Sequence, residues 1–256
     1  MSDVSAPLTL DAPGPGEVHV WLIPLSEHDS PADGGVSLLS TEERVRCARY
    51  RREMDRRLCS TGHAATRLIL SRYAPVEPSD WRFRTGEYGR PEIESPPAFR
   101  CLHFNRAHTS GLVALAFSLD RAVGVDVEHI ERGPFDRRVA ERCFTPAELE
   151  WVASVGEANR HRACLELWTL KEAYAKARGR GLSLPLRSVT FDLTTRERPL
   201  LSFDRSLDDP EGEWEGHLIG VPSAHVVAVA VEMAGAGATR LDVRTLEPGS
   251  LAGILA

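Results

Sequence analysis

The residues best suited to chemistry fall in two short segments. In Gly124-Val125-Asp126-Val127-Glu128 two acids alternate with apolar residues. Alternate side chains of a strand share a face, so Asp126 and Glu128 point one way, about 6.6 Å apart along the chain, and the valines point the other. Two like charges on one sheet face suit a hard divalent cation, which takes one or two carboxylates and completes its shell with water and phosphate oxygens. The plain alternative is a polar solvent face. The second segment has helical spacing: Trp168, Glu172 and Lys176 are four apart and stack on one face. They lie nearly opposite an apolar stripe of Ala163, Leu167, Leu170, Tyr174 and Ala177. Glu172 and Lys176 are either an exposed ion pair worth about 0.3–0.5 kcal/mol or, beneath a tryptophan, part of a lined site. Of 31 lysines and arginines only two, Lys171 and Lys176, are lysine, which marks this helix as a place that needs a compact ammonium.

The elements that position these residues come from turn signals and periodicity. Turn-rich stretches lie at 11–16, 30–35, 74–79, 94–97 and 206–212. Strand patterns cover 18–23, 101–104, 112–119, 122–128, 189–193, 200–204, 217–221 and 224–232. A long broken helical region begins at Ser40-Thr41-Glu42-Glu43 and ends near Tyr73, and further helices cover 145–154 and 157–178. Helices followed by antiparallel strands predict an α+β fold of two comparable lobes, 1–120 and 121–233, with 234–256 as a mobile tail. The length of 256 residues, 42% apolar and 27% charged, excludes wholesale disorder and a disulfide scaffold. The longest apolar runs, 112–117 and 226–231, fall far short of the ~20 residues of a membrane span. No basic patch precedes Val18, so a cytoplasmic protein without a leader is expected. A net charge of −6 argues against a general nucleic-acid binder. Residues 40–72 nevertheless hold nine arginines against four acids, enough to hold something anionic. Five cysteines with no C-x-x-C pair read as reduced, packed thiols.

Taken together, the two segments, about 40 residues apart, resemble the paired signatures of the 4′-phosphopantetheinyl transferases of the Sfp type. Gly89-Arg90-Pro91 and Phe104-Asn105-Arg106-Ala107-His108-Thr109 are similar to that family's G-K/R-P and F-N-x-S-H-[ST] elements. The resemblance spans most of residues 18–232. It implies two pseudo-twofold-related lobes, each a small, largely antiparallel sheet with helices, and an active site in the cleft between them. It also implies coenzyme A as substrate, Mg²⁺ with Mn²⁺ as a substitute, and transfer of phosphopantetheine to a serine of an apo acyl, aryl or peptidyl carrier protein. A monomer acting on neither nucleic acid nor membrane is the implied assembly.

Carried over by position, Asp126, Glu128 and Glu172 match the metal-binding acids, and Glu172 also matches the proposed general base. Lys176 matches the lysine on the pyrophosphate, and His108 the histidine touching the coenzyme's phosphates. Arg90 falls beside the adenine and ribose, and Arg46 beside the 3′-phosphate. Lys171, the motif's other lysine, is assigned to coenzyme binding, as is Arg57, and Glu148 matches a further acid. Two departures stand out: Ala107 replaces the usual serine, and Leu58 stands where an arginine is often found, with Arg57 alongside as its substitute. These departures motivate a rival reading, an inert coenzyme A-binding regulatory homologue. Phe135, Phe144, Leu149 and Trp151 either form an apolar docking surface or pack onto the core, and Arg137 and Arg138 are placed to steer an acidic carrier.

Overall fold

The structure, a computed structural model, describes residues 8–9, 11–26, 33–86, 89–195, 199–203, 213–221, 224–233, 238–246, 251 and 254. The first half runs β1 (Glu17–Pro24), α1 (Asp33–Val36), α2 (Thr41–Ala48), α3 (Glu53–Tyr73), β2 (Arg82–Thr85), β3 (Pro91–Ser95), β4 (Leu102–Thr109) and β5 (Leu112–Leu119). The second runs β6 (Val123–His129), α4 (Arg137–Cys143), α5 (Pro146–Ser154), α6 (Glu157–Arg178), β7 (Val189–Asp192), β8 (Leu200–Phe203), β9 (Trp214–Ile219), β10 (His225–Glu232) and β11 (Arg240–Thr245).

The expected α+β class holds. One sheet has the order β11-β1-β5-β4 and another the order β6-β10-β9, with small hairpins β2-β3 and β7-β8 beside them. Strands β5 and β10 are almost continuously buried because both faces of each sheet are covered. Helix α3 packs on the first sheet around Ile69, Tyr73, Phe104 and Phe117. Helix α6 packs on the second around Leu170, Tyr174, Ala228 and Ala230. Between the sheets lies a layer of small and β-branched residues, including Val18, Val20, Ala114, Ala116, Val125, Val127, Val227 and Val229. The result is a helix–sheet–sheet–helix stack.

A tight joint at Asp120–Arg121 carries the chain from the first sheet to the second: β5 pairs with β1 and β4, and β6 pairs with β10. Arg121, buried at this joint, donates to the Glu17 carbonyl and to Thr239 Oγ1 at 3.1 Å each. A buried Asn105 ties the sheets together, its Oδ1 accepting from the Val125 amide at 3.1 Å.

Two expectations need correction. Residues 240–245, assigned to a tail, form β11 and pair in parallel with the outer edge of β1, whose backbone groups would otherwise lack partners. Cys47 and Cys59 are joined in a disulfide because α2 and α3 bring their Cα atoms to 5.5 Å. The hairpin β2-β3 and helix α4 are too short to show a period in the sequence. The turn at 206–212 and the Ala-Gly stretch at 234–237 lie outside the described residues. No helix among the described residues is long and apolar enough to cross a membrane.

Candidate active site

Helix α6 lies directly against β6 because residue 124 is glycine. A Cβ there would overlap the Ala173 carbonyl oxygen and crowd the Ala177 backbone. The valines of β6 fill the layer between the sheets, so Asp126 and Glu128 face the helix, as strand alternation requires. Along α6 the expected apolar stripe of Ala163, Leu167, Leu170, Tyr174 and Ala177 is buried. Trp168, Glu172 and Lys176 stay half-exposed on the face that meets the two acids.

Lys176 Nζ donates to Asp126 Oδ1 at 2.6 Å and to the Val125 carbonyl at 3.4 Å. Trp168 Nε1 donates to Glu128 Oε1 at 3.0 Å, and Arg132 pairs with the same oxygen. Asp126 Oδ2 and Glu172 Oε1 are buried without hydrogen-bond partners. Burial raises the Asp126 pKa, with Lys176 opposing and Glu128 adding to the rise. The Glu172 carboxyl is pushed up to about 7 by burial and the Asp126 charge, with Lys176 opposing and Glu128 adding to the rise. Two orphaned carboxylate oxygens beside a third acid form the all-oxygen donor set that a hard divalent ion prefers. The three carboxylates are not all within 4.8 Å of one another among the described residues; Lys176 holds one and Trp168 with Arg132 holds another. Two tighter groups of metal-ligand types are otherwise engaged: Cys47, Cys59 and His63 by the disulfide, and Glu17, His19 and Asp242 by Arg240 and Arg244.

The cation side of the site stands on β4. His108 lies edge-on to Tyr50 with centroids 5.6 Å apart, and burial followed by the charges of Lys176 and Arg106 lowers its pKa. Arg90 donates to the Ala177 carbonyl at 2.6 Å and lines a cavity of about 170 Å³ with Asn105, Arg106, Lys176 and Gly179. Arg46 lines an adjoining cavity of about 340 Å³ with Glu43, His63, Arg67 and Arg106. Of the predicted residues, Lys176 and Arg90 line the first cavity and Arg46 the second, while Asp126, Glu128 and Glu172 lie on the β6–α6 face and His108 on β4.

Other predicted residues go elsewhere. Lys171 is fully buried and cannot touch coenzyme: its Nζ donates to the Leu186 carbonyl and pairs with Glu148, both at 2.9 Å. Glu148 is likewise structural, closing a capping box with Thr145 and accepting from the Phe191 amide at 2.9 Å. Lys171 points from α6 towards Glu148 on α5 and not towards the acids of β6, a distinction that five-residue lysine spacing cannot show. Arg57 Nη1 donates to the Ser26 carbonyl at 3.4 Å. Leu58 is buried in the first core and Ala107 in the layer between the sheets, so neither departure removes a side chain from the cavities. Phe144 is fully buried, Phe135 stacks on it at 5.6 Å, and Leu149 and Trp151 pack against the same core, which favours the packing role. Arg106 was hidden at the variable position of its motif. Strand alternation, which puts it on the same face as His108, is the signal that marks it.

A family model described as the 4′-phosphopantetheinyl transferase superfamily matches residues 122–230. The chain is 32% identical to the 4′-phosphopantetheinyl transferase HetI of a Nostoc species over 71% of this chain and 76% of that protein. It is also 32% identical to the 4′-phosphopantetheinyl transferase Sfp of Bacillus subtilis, over 66% of this chain and 72% of that one. A solved holo-(acyl-carrier-protein) synthase from Bacillus anthracis in complex with CoA (3′,5′-ADP) superposes with a TM-score of 0.36 at 19% identity, covering 43% of this chain and 94% of that one.

Proposed function

The chain belongs to the 4′-phosphopantetheinyl transferase superfamily, and from that premise we propose that it transfers the phosphopantetheine arm of coenzyme A to a serine of an apo acyl, aryl or peptidyl carrier protein, releasing adenosine 3′,5′-bisphosphate in a Mg²⁺-dependent reaction. The observation that carries this reading is the mutual field of Asp126, Glu128, Glu172 and Lys176 on the β6–α6 face, beside cavities lined by Arg46, Arg90 and Arg106. We read the two sheet–helix halves as lobes, 1–120 and 121–233, with the site in the cleft between them.

Asp126, Glu128 and Glu172 would hold the ion, whose charge offsets that of the diphosphate during phosphoryl transfer. Lys176, the ammonium beside these acids, would stabilise the oxygen that leaves with adenosine bisphosphate. The carrier serine Oγ forms the new bond to the β-phosphorus as the bond to the α-phosphate bridge breaks. Glu172 is the carboxylate that would take the serine proton, directly or through water. His108 and Arg90 orient the diphosphate and nucleoside. Exposed Arg138 steers an acidic carrier, whereas neighbouring Arg137 is engaged by Glu141 at 2.8 Å. Because Ala107 and Leu58 face packed cores, the features that motivated an inert homologue lose their force. A cytoplasmic monomer belongs to the same reading.

Intact-mass analysis of an apo carrier incubated with coenzyme A and Mg²⁺ tests the proposal. A gain of one phosphopantetheine on the serine is expected, and is nearly abolished by Asp126→Ala and Glu172→Ala. No gain across several carrier types, despite coenzyme binding, would select the inert homologue.

A further inference from the structure

Arg106 lines both cavities, the one that contains Lys176 and the one between α2, α3 and the β2–β3 hairpin, where Arg46, Arg67, Arg82 and Arg106 face Glu42, Glu43 and Glu94. Its Nη2 lies 3.1 Å from His63 Nε2, while Nη1 is shielded from water and has no hydrogen-bond partner. Because an arginine can only donate, His63 Nε2 must be the acceptor and the imidazole proton sits on Nδ1, 3.0 Å from Glu43 Oε1. Burial lowers the His63 pKa, consistent with this neutral tautomer. Glu43 acts on Arg106 by its charge alone, with no direct hydrogen bond between them. Its Oε2 already accepts from Arg67 Nε at 3.1 Å, from Arg67 Nη2 at 2.9 Å and from the Ser40 amide at 2.8 Å. Arg46, on the same cavity wall, makes no ion pair among the described residues. Burial draws the Arg106 pKa down to about 10, which still leaves it charged at neutral pH.

A row of close contacts, carboxylate to imidazole to guanidinium, thus ends in an unused donor on Arg106 next to Arg46. Such an arrangement awaits an anion with several acceptor oxygens. Coenzyme A carries phosphate at two separated places, a diphosphate and a 3′-phosphomonoester. Lys176 and the acid cluster account for the first, which leaves the α2–α3 cavity for the second.

Resting on the transferase reading, we propose that Arg106 is a specificity-determining ligand for the 3′-phosphate of coenzyme A, with His63 and Glu43 as its positioning residues and Arg46 as its partner cation. The assignment is specific to this chain, because it falls on the variable position of the Phe104–Thr109 motif.

The test is calorimetric binding of coenzyme A and of 3′-dephospho-coenzyme A to the full chain. The wild type should prefer coenzyme A. In Arg106→Met that preference should fall about 10- to 100-fold, the range for one or two charge-assisted hydrogen bonds, with affinity for the dephospho ligand changed less than about twofold. His63→Leu should lower the preference by a smaller factor without affecting the dephospho ligand. Thermal melting checks the fold of each variant. If Arg106→Met does not fold, Arg106→Lys, which keeps charge without the fork, should still lower the preference. Equal weakening of both ligands, or an unchanged preference, would overturn the role of Arg106 while leaving the transferase reading intact. If the wild type binds neither ligand, both readings fall together.

Discussion

Gly124→Ala is the sharpest perturbation of the scaffold, because the new Cβ would meet backbone and not a movable side chain. It would overlap the Ala173 carbonyl oxygen and crowd the Ala177 nitrogen, so α6 must move off β6. Overpacking costs about 1–3 kcal/mol when side chains can adjust, and backbone against backbone belongs at the upper end. At this chain length about 1 kcal/mol corresponds to roughly 2–4 °C, so the melting temperature should fall by roughly 5–10 °C. The same displacement separates Glu172 and Lys176 from Asp126 and Glu128, and a misplacement of about 1 Å costs on the order of 10²-fold in rate. Thermal unfolding and transfer to one apo carrier measure the two effects in the same preparation. Gly220→Ala is the control, since a Cβ there meets nothing within 4 Å. If Gly124→Ala melts and turns over as Gly220→Ala does, the close helix–strand contact does not position the site.

Lys171→Met leaves the Glu148 carboxylate buried without its cation, and urea unfolding should show a loss of about 3–5 kcal/mol with coenzyme affinity unchanged. Glu43 is held at about 2: burial alone would raise it, but hydrogen bonds from His63 and the Ser40 amide and the charges of His63 and Arg67 outweigh burial. Its folded pKa therefore lies below the unfolded value of ~4.3, and its stabilisation is complete above that value and lost as pH falls towards about 2. Acid unfolding of Glu43→Gln should be correspondingly less pH-dependent across that window. Glu172 has the opposite sign: its pKa of about 7 exceeds the unfolded value, so without an ion it destabilises the fold as pH rises through that interval. Glu172→Gln should stabilise the ion-free protein at pH 8. Wild-type affinity for a divalent ion should rise about tenfold per unit up to about pH 7, because the ion competes with one proton.

Much of the acid cluster was legible because two periodicities expose it. The alternation in β6 separates Asp126 and Glu128 from the valines, and four-residue spacing in α6 groups Trp168, Glu172 and Lys176. What periodicity could not supply was the surroundings of each face. Lys171 looked equivalent to Lys176, but α6 is covered on several sides, and the buried carboxylate of Glu148 decides where Lys171 goes. Arg106 and His63 come together only through packing of α3 on β4, 43 residues apart in the chain. The disulfide and the parallel pairing of β11 with β1 are similarly non-local. Ala107 and Leu58 looked like departures in a binding site because motif position does not report which face of a strand or helix a residue occupies.

The central claim is that Asp126, Glu128 and Glu172 share one divalent ion beside the coenzyme's diphosphate. Titration of the full chain with Mn²⁺ in the presence of coenzyme A, followed by electron paramagnetic resonance, addresses it directly. One bound ion per chain is expected, lost in both Asp126→Ala and Glu172→Gln. Wild-type Mn²⁺ affinity retained in both variants would contradict it.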